Sequence, residues 1–285
     1  MPTLFTSASE LRHWRSLLGA GTPLAFVPTM GALHAGHERL MREARSMAST
    51  VIVSVFVNPM QFGDQIDLSQ YPRTLDADIE SCMRNGVDVI FAPTTDQIYP
   101  SNDVQIVSSG KLGTLYEGES RPGHFEGVIT VVNRLFCLVA PTVAVFGEKD
   151  YQQLTLIRQM AATLHPNVQI RNVQTVRDPD GLAISSRNSR LTPKNRLLAI
   201  KLYESLHRIE VEYKSGVTDT RYLEHFGIEY LEQFPDIDLD YIVCVNATTL
   251  DHIDSVNQPS VVLLAATIGG VRLIDNVLLT PLLEN

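Results

Sequence analysis

The chain has 285 residues, of which 44% are hydrophobic and 19% charged, and this composition excludes an intrinsically disordered protein. Its net charge of −9 disfavours broad binding to nucleic acid or to an anionic membrane, although it is compatible with a small positive pocket. Cys82, Cys137 and Cys244 are odd in number and far apart, and neither a secretory leader nor an apolar run long enough to span a bilayer is evident. We therefore expect a reduced, cytoplasmic protein with no nucleic-acid or membrane partner.

The first 176 residues alternate between apolar runs typical of buried strands and segments with helical spacing. We predict strands at Leu24–Val27, Val51–Val57, Val87–Ala92, Val143–Phe146 and Val168–Val173, and helices at His37–Ala48, Leu75–Asn85, Gly127–Val139 and Tyr151–Leu164. This alternation predicts an α/β, Rossmann-like domain over residues 1–176, with a parallel sheet covered on both faces. Ligands of such sheets bind beyond the carboxyl ends of the strands.

The pattern changes after Val176, where Arg177–Gly181 has the composition of a turn or hinge. Two amphipathic helices and then three strands are predicted beyond it, at Pro193–Tyr213, Asp219–Phe234, Leu239–Asn246, Val261–Thr267 and Arg272–Leu279. Helices followed by grouped strands predict a smaller α+β domain over residues 177–285, which we expect to act as a lid.

Pro28–His37 follows the first predicted strand and leads into a helix, which is the local order of a nucleotide-binding βα unit. His34 and His37 are three residues apart, so both rings can lie on one side of the helix start. A helix N-terminus attracts anions, and two imidazoles beside it suit a phosphate whose charge changes. Solvated surface histidines and a metal site remain alternatives, with zinc the weaker because the cysteines are scattered.

Two amides follow the second predicted strand. Asn58 and Gln61 can hold a hydroxyl or a carboxylate without neutralising it, which a carboxylate nucleophile requires. The alternative interpretation is an ordinary turn, because Pro59 and Gly63 lie in the same segment.

Lys149 lies two residues after Gly147, at the end of the fourth predicted strand. An ammonium at this place suits a phosphate, and Gln153, one helical turn later, offers a further amide. Alternatively, Lys149 belongs with Glu148 and Asp150 to a solvated ion-pair surface.

Ile184–Arg187 follows the Asp180–Gly181 turn, and its hydroxyls and guanidinium suit a triphosphate, with Lys149 offsetting further charge. A helix cap or a turn is the alternative interpretation. The chain has no G-x-x-x-x-G-K-[ST], G-x-G-x-x-G, G-x-S-x-G or H-E-x-x-H motif, so any nucleotide site lacks the usual glycine-rich cradle.

Several sequence blocks occur in order along residues 28–191, with a further one at 272–276: P-T-M-G-A-L-H-A-G-H, F-V-N-P-M-Q-F, Y-P-R-T, R-P-G-H-F, F-G-E-K-D-Y-Q-Q-L, S-S-R-N and R-L-I-D-N. Together they resemble the pantothenate synthetase family of the HxGH nucleotidyltransferase superfamily. H-A-G-H at 34–37 resembles the first signature of that superfamily. Ser185–Arg187 resembles its second signature in a serine–arginine version.

The resemblance implies an ATP- and Mg²⁺-dependent ligase that joins pantoate and β-alanine to give pantothenate, a precursor of coenzyme A. Pantoate's carboxylate attacks the α-phosphorus of ATP, which gives pantoyl adenylate and pyrophosphate. The amine of β-alanine then displaces AMP. The resemblance also implies a homodimer.

The resemblance implies roles for residues at matching positions. The implied catalytic residues are His34, His37, Lys149 and Arg187, and His37 would act as a proton donor. The implied ATP-binding residues are Met30, Gly31, Ala32, Leu33, His34, Ala35, Gly36, His37, Gly147, Glu148, Lys149, Asp150, Val176, Ile184, Ser185, Ser186 and Arg187. The implied pantoate- and β-alanine-binding residues are Met30, Asn58, Gln61, Val128 and Gln153. No protein ligand for the metal is implied, because Mg²⁺ is expected on the ATP phosphates. Ile184 stands where the family more often has Leu or Met, and this difference affects only how the side chain would pack against adenine.

Two rival functions fit parts of the pattern. An enzyme that moves AMP or CMP onto a phosphate acceptor would need more cations near the acceptor than Gln61 and Gln153 provide. A non-catalytic nucleotide- or RNA-binding module is disfavoured by the acidic balance and by the paired imidazoles.

Overall fold

The computed structural model of the chain describes residues 1–19, 21–63, 65–100 and 105–281, apart from the side chain of Gln65. The chain divides into two compact units, and each is described by itself. The first contains Met1–Glu148 and Leu156–Gln174, and the second contains Lys149–Thr155 and Thr175–Asn285. The domain boundary between residues 176 and 177 stays a prediction.

The first unit is built on a parallel sheet, which has six strands among the described residues. The strands are β1 (Thr3–Phe5), β2 (Leu24–Thr29), β3 (Thr50–Val55), β4 (Val89–Phe91), β5 (Val143–Gly147) and β6 (Gln169–Val173). Their spatial order is β1-β4-β3-β2-β5-β6, so β3 and β5 lie on opposite sides of β2. This doubly wound arrangement confirms the predicted α/β, Rossmann-like class.

Helices connect these strands. Strand β2 is apolar along its length because it packs against α2 and against α7. The helices are α1 (Ala8–Leu17), α2 (Ala35–Met47), α3 (Gln65–Gln70), α4 (Leu75–Arg84), α5 (Thr95–Ile98), α6 (Glu117–Ser120), α7 (His124–Val139) and α8 (Tyr151–Leu164). Ala25 and Val27 belong to the cluster that contains Leu40 and Met41 of α2. Phe26, between them, packs its ring edgewise on Phe136 of α7. Alternate residues of β2 therefore face different helices, as expected of a sheet covered on both faces.

The second unit contains α9 (Pro193–Lys214), α10 (Thr220–Leu231) and an antiparallel sheet of β7 (Ile237–Asn246), β8 (Ser260–Ile268) and β9 (Val271–Leu279). Both helices begin at side-chain caps, because Thr192 accepts a hydrogen bond from the Asn195 N–H and Asp219 from the Tyr222 N–H. Helix and strand residues share one apolar core. The predicted α+β class of this region is confirmed.

Some elements differ from the prediction for local reasons. Helix α10 ends at Leu231 rather than Phe234, and the residue before Pro235 is sterically disfavoured in a helix. Strand β1 and helix α1 are not among the predicted elements, since β1 has three residues and α1 buries only Ala8 and Leu11. Within the described residues, no helix combines the length and hydropathy needed to cross a bilayer.

The three cysteines are free thiols. Burial raises the pKa of Cys82 and of Cys244 to about 12, while Cys137 is exposed. The two buried thiols therefore stay protonated at neutral pH and act as small core residues.

Candidate active site

Strands β2 and β5 are neighbours in the sheet although they are far apart in the chain. Strands β3 and β5 lie on opposite sides of β2. This reversal of direction creates the switch point at which doubly wound sheets bind ligands. Thr29, at the end of β2, and Gly147, at the end of β5, both lead into segments predicted to bind ATP. The sheet thus brings the first signature and Gly147 to the same edge.

The turn between β2 and α2 is held by a buried carboxylate that the sequence analysis did not single out. Asp78 of α4 accepts hydrogen bonds from the N–H groups of Ala32 at 3.2 Å and of Leu33 at 2.8 Å, and it is 1% exposed. Gly31 has a φ of +81°, and an added Cβ would lie 2.9 Å from Asp78 Oδ2, so this position requires glycine. The backbone before His34 therefore depends on a side chain from another helix.

His34 and His37 lie together at the start of α2. His34 is the N-cap residue, and its backbone N–H donates to His37 Nδ1 at 3.3 Å. The two ring centroids are 4.0 Å apart, and the His34 ring lies against Gly36. Both rings are half-buried, while Ala35 is exposed. The predicted pair of imidazoles is thus one structural feature beside the backbone N–H groups of a helix start.

Met30, Asn58 and Gln61 form a connected group beside this turn. Asn58 Nδ2 donates to Gln61 Oε1 at 3.2 Å, and Gln61 Nε2 lies 3.0 Å from Met30 Sδ. Asn58 and Gln61 are 1% and 7% exposed, and Asn58 Oδ1 accepts from the Tyr99 hydroxyl at 2.9 Å. Burial raises the pKa of Tyr99, which keeps its hydroxyl protonated as a donor. These partners fix the orientation of two of the predicted acceptor-site amides.

Helix α7 packs closely against the 3₁₀ turn Pro59–Gln61. An added Cβ at Gly127 would lie 2.4 Å from the Met60 carbonyl oxygen, so only glycine allows this approach, and the Gly127 carbonyl accepts from Asn58 Nδ2 at 3.0 Å. Val128, the next residue, is buried on the same helix. Gly127 is not among the predicted site residues, because its importance lies in a contact with a turn more than 60 residues earlier.

His124 also fixes this turn. His124 Nδ1 lies 2.8 Å from the Gln61 carbonyl oxygen, and Arg121 Nη1 lies 3.2 Å from His124 Nε2. Because the carbonyl needs a donor and the guanidinium needs an acceptor, a neutral imidazole protonated at Nδ1 satisfies both contacts. The R-P-G-H-F block therefore supports the backbone of Gln61.

Glu148, which follows Gly147, is buried and accepts a hydrogen bond from the Asn172 side chain of β6. Asn172 Oδ1 in turn accepts from Arg158 Nη2 at 2.6 Å. The Glu148 carboxylate therefore ties the end of β5 to β6. This geometry gives the predicted ATP-binding residue Glu148 a structural role as well.

In the second unit, Lys149 and Ser185 line the same pocket. Lys149 Nζ lies 3.9 Å from Asp150 Oδ2, and the Ser185 hydroxyl accepts from the Arg187 N–H at 3.3 Å. The other lining residues are Leu182, Ala183, Asn188, Ala199, Leu202, Leu273, Ile274 and Asp275. Two of the predicted ATP-binding segments thus meet within one unit.

The segment from Val176 to Ile184 is a short hairpin in the second unit. The Ile184 N–H donates to the Val176 carbonyl at 3.0 Å, so these two predicted ATP-binding residues are paired. Ser186 and Arg187 follow in the 3₁₀ turn Ser186–Arg190 and are half-buried. Gln153 lies in the first turn of α8 and is also half-buried. The roles of these residues toward ATP and pantoate stay predictions.

The described residues contain no group of three or more His, Cys, Asp or Glu side chains arranged to hold a metal ion. Mg²⁺ is commonly bound through one or two carboxylates together with substrate phosphates and water rather than in an all-protein cage. The side chains present are therefore compatible with Mg²⁺ that arrives on a nucleotide.

A doubly wound sheet with paired histidines and buried amides at the carboxyl ends of its strands defines an α/β protein with the layout of a nucleotide-binding enzyme. The family model described as Pantoate-beta-alanine ligase matches residues 3–278. The chain belongs to the pantoate–β-alanine ligase family, and it is therefore a ligase; the resemblance found in its sequence is confirmed.

Curated relatives match over nearly their whole length. A Pantothenate synthetase of Nocardioides sp. is 47% identical, with 95% of this chain and 85% of the relative covered. A Pantoate–beta-alanine ligase of Schizosaccharomyces pombe is 44% identical, with 94% of each chain covered.

Solved structures give the same result. The Pantothenate synthetase of Thermus thermophilus superposes with a TM-score of 0.92 at 40% identity, covering 98% of this chain and 100% of that one. A Pantoate-beta-alanine ligase of Francisella tularensis, complexed with beta-gamma ATP and beta-alanine, has a TM-score of 0.81 at 35% identity, with 98% of each chain covered.

Proposed function

We propose that this chain joins pantoate to β-alanine, with cleavage of ATP to AMP and pyrophosphate, through a pantoyl adenylate. One observation carries the proposal: the family match along residues 3–278 coincides with a histidine pair and two buried amides at the carboxyl ends of the adjacent strands β2 and β3. The nucleotide and β-alanine named for the Francisella ligase support the assignment of two of the three substrates.

In the first step, a pantoate carboxylate oxygen forms a bond to the α-phosphorus of ATP. The bond between that phosphorus and the bridging oxygen breaks, and its electron pair leaves with pyrophosphate. Such a displacement needs positioning and charge stabilisation more than a covalent protein group. Asn58 and Gln61 suit the positioning, because buried amides can hold pantoate and leave its carboxylate charged and reactive.

Charge on the phosphates is the task we assign to His34, His37, Lys149 and Arg187. The imidazoles lie beside the N-terminal N–H groups of α2, and His37 in its protonated form would donate a hydrogen bond or a proton to the departing pyrophosphate. The remaining ATP contacts are assigned to the backbone of Met30–Gly36 and to Gly147, Glu148, Asp150, Val176, Ile184, Ser185 and Ser186. Mg²⁺ would neutralise further phosphate charge and would be carried on the ATP oxygens.

In the second step, the β-alanine nitrogen attacks the acyl carbon of the adenylate. The bond from that carbon to the phosphate oxygen breaks, AMP leaves with the electron pair, and the nitrogen loses a proton. From the resemblance, we assign Met30, Val128 and Gln153 to binding of the pantoyl group, with Gln61 near the β-alanine. We also propose, from the resemblance, that the enzyme is a homodimer.

Isotope exchange tests this function directly. The protein with ATP, Mg²⁺ and labelled pyrophosphate should incorporate label into ATP only when pantoate is present. This exchange should not require β-alanine, because the adenylate forms reversibly before the amine enters. Addition of β-alanine should then give equal amounts of AMP and pantothenate. Exchange that does not depend on pantoate, or nucleotide transfer onto a phosphate acceptor, would refute the proposal.

Changing Gln61 to glutamate should weaken pantoate binding by at least tenfold. The variant replaces the amide by a carboxylate of similar size, which would lie next to the proposed position of the pantoate carboxylate. Like charges repel in a buried site. Isothermal titration of pantoate measures the effect. Gln159→Glu, an exposed position on α8, is the matched control and should bind pantoate as wild type does. Equal affinity in the Gln61→Glu variant would remove Gln61 from the acceptor pocket.

A further inference from the structure

Strand β9 carries two buried polar side chains that the proposed mechanism does not use. Asp275 and Asn276, at the end of the R-L-I-D-N block, are 5% and 6% exposed. Burial of a carboxylate or an amide is unfavourable unless hydrogen bonds compensate for lost water. Both residues have such partners, and each also has one outside β9, in a segment assigned to ATP binding.

Asp275 is paired with Arg177 of the Val176–Ile184 hairpin. Arg177 donates to the two carboxylate oxygens at 2.6 and 2.9 Å, which is the bidentate geometry that arginine and carboxylate prefer. The same guanidinium donates to the Gly181 and Asn276 carbonyl oxygens and lies 4.5 Å over the Tyr203 ring. One buried carboxylate therefore fixes the hairpin that leads into the second signature.

Asn276 contacts the other cationic segment. Its Nδ2 donates to the Lys149 carbonyl oxygen at 2.9 Å, and its own N–H donates to Asp275 Oδ1 at 2.8 Å. The backbone position of Lys149 is thereby linked to Asp275. The pocket lined by Lys149, Ser185 and Asp275 shows that these segments adjoin one another.

We propose that Asp275 and Asn276 are positioning residues for the nucleotide: Asn276 places Lys149 through its backbone, and Asp275 places Val176–Arg187 through Arg177. This inference rests on the proposed function, because it requires both segments to bind ATP. The lysine ammonium reaches its target on a flexible four-carbon stem, so its reach is set by where the backbone is held. A displacement of about 1 Å far from the chemistry is enough to lower activity severely.

The first test is the Asn276→Ala variant, titrated by calorimetry with a non-hydrolysable ATP analogue and, separately, with pantoate. We expect the affinity for the analogue to fall about tenfold and the affinity for pantoate to change by less than twofold. A merely structural role would lower the melting temperature and leave the two ligands affected alike. Loss of pantoate binding in parallel with the analogue would therefore overturn the inference.

A double-variant cycle tests whether Asn276 acts through Lys149. In a Lys149→Ala background, Asn276→Ala should weaken binding of the analogue by less than twofold, because the ammonium that it places is already gone. A further tenfold loss in that background would contradict the proposal for Asn276.

Asp275→Asn tests the other half of the network. The variant keeps the size of the side chain and one acceptor oxygen, which favours folding, but removes the charge that holds Arg177. We expect analogue affinity to fall about fivefold with pantoate affinity unchanged, and no change would refute the role of Asp275.

Arg272→Ala, in the same block and strand, is the matched control, because Arg272 pairs with Asp240 of β7, which lies outside the two segments assigned to ATP binding. It should bind the analogue within twofold of wild type, and a tenfold loss there would show that the strand responds non-specifically. The wild-type titration separates this inference from the proposed function. If the wild-type chain fails to bind the analogue, the proposed function fails. If the wild-type chain binds it and the Asn276→Ala and Asp275→Asn variants bind it equally well, only the positioning role fails.

Discussion

Replacing His37 or Lys149 by alanine should slow formation of the adenylate by somewhat over a hundredfold, which corresponds to about 3 kcal/mol in the barrier. Each side chain is proposed to stabilise charge on the phosphates during displacement, and preorganised donors of this kind typically contribute effects of that size. The measurement is a single turnover with ATP and pantoate, stopped by rapid quench without β-alanine. An unchanged rate in both variants would remove these residues from the catalytic machinery.

His37 needs one additional variant because it also caps α2. Its Nδ1 accepts from the His34 N–H, and loss of such a cap costs about 1 kcal/mol of stability. Glutamine at the same position can accept that hydrogen bond, as it does in capping boxes, but it cannot be protonated. His37→Gln should therefore fold like wild type and turn over as slowly as His37→Ala. His225→Ala and Lys214→Ala, at exposed positions of α10 and α9, are the matched controls and should keep the wild-type rate.

Replacing Asp78 by alanine should lower the free energy of unfolding by about 3 kcal/mol. The variant leaves the N–H groups of Ala32 and Leu33 without their acceptor, and an unsatisfied buried donor costs about 1–3 kcal/mol. Because this turn precedes His34, we also expect weaker ATP binding at temperatures where the variant is folded. Urea unfolding with an unchanged m value, followed by titration of an ATP analogue, measures both effects.

Asp76, two residues earlier on α4, provides the control for Asp78. It is exposed, so Asp76→Ala should lower the free energy of unfolding by less than about 1 kcal/mol, mostly through loss of a favourable charge near the helix start. Asp78→Asn, which keeps one acceptor oxygen, should be intermediate. A cost for Asp78→Ala no larger than that for Asp76→Ala would show that the carboxylate does not hold the turn.

The fold was largely predictable because hydrophobic periodicity is a local signal. The continuous apolar run at Val143–Phe146 predicted a strand buried on both faces, and β5 is such a strand. Strand ends were less predictable: β2 continues to Thr29, two residues beyond the predicted Val27, although Pro28 lacks a backbone donor. The order of strands in the sheet depends on pairing between distant segments and has no local signature.

The candidate site divides in the same way. His34, His37, Asn58, Gln61 and Lys149 stand out because polar residues at strand ends form short, recognisable patterns. The residues that hold them do not, since their value lies in contacts across the fold. Asp78 reaches Ala32 over 46 positions, Tyr99 reaches Asn58 over 41, and Asp275 reaches Arg177 over 98. No window of local sequence contains both members of any of these pairs.

The order of segments along the chain has a consequence for synthesis on the ribosome. Residues 149–155 group with residues from 175 onward, although the intervening 156–174 complete the first unit. The Tyr151 hydroxyl donates a hydrogen bond to the Ala247 carbonyl oxygen, and the Lys149 carbonyl oxygen accepts one from the Asn276 side chain. This heptapeptide therefore emerges from the ribosome about a hundred residues before its partners. The nascent first unit can acquire its sheet once Val173 has left the exit tunnel, whereas the Lys149 carbonyl can be held by Asn276 only after the chain has been synthesised through β9. A fragment that begins at residue 177 would lack both of these hydrogen bonds.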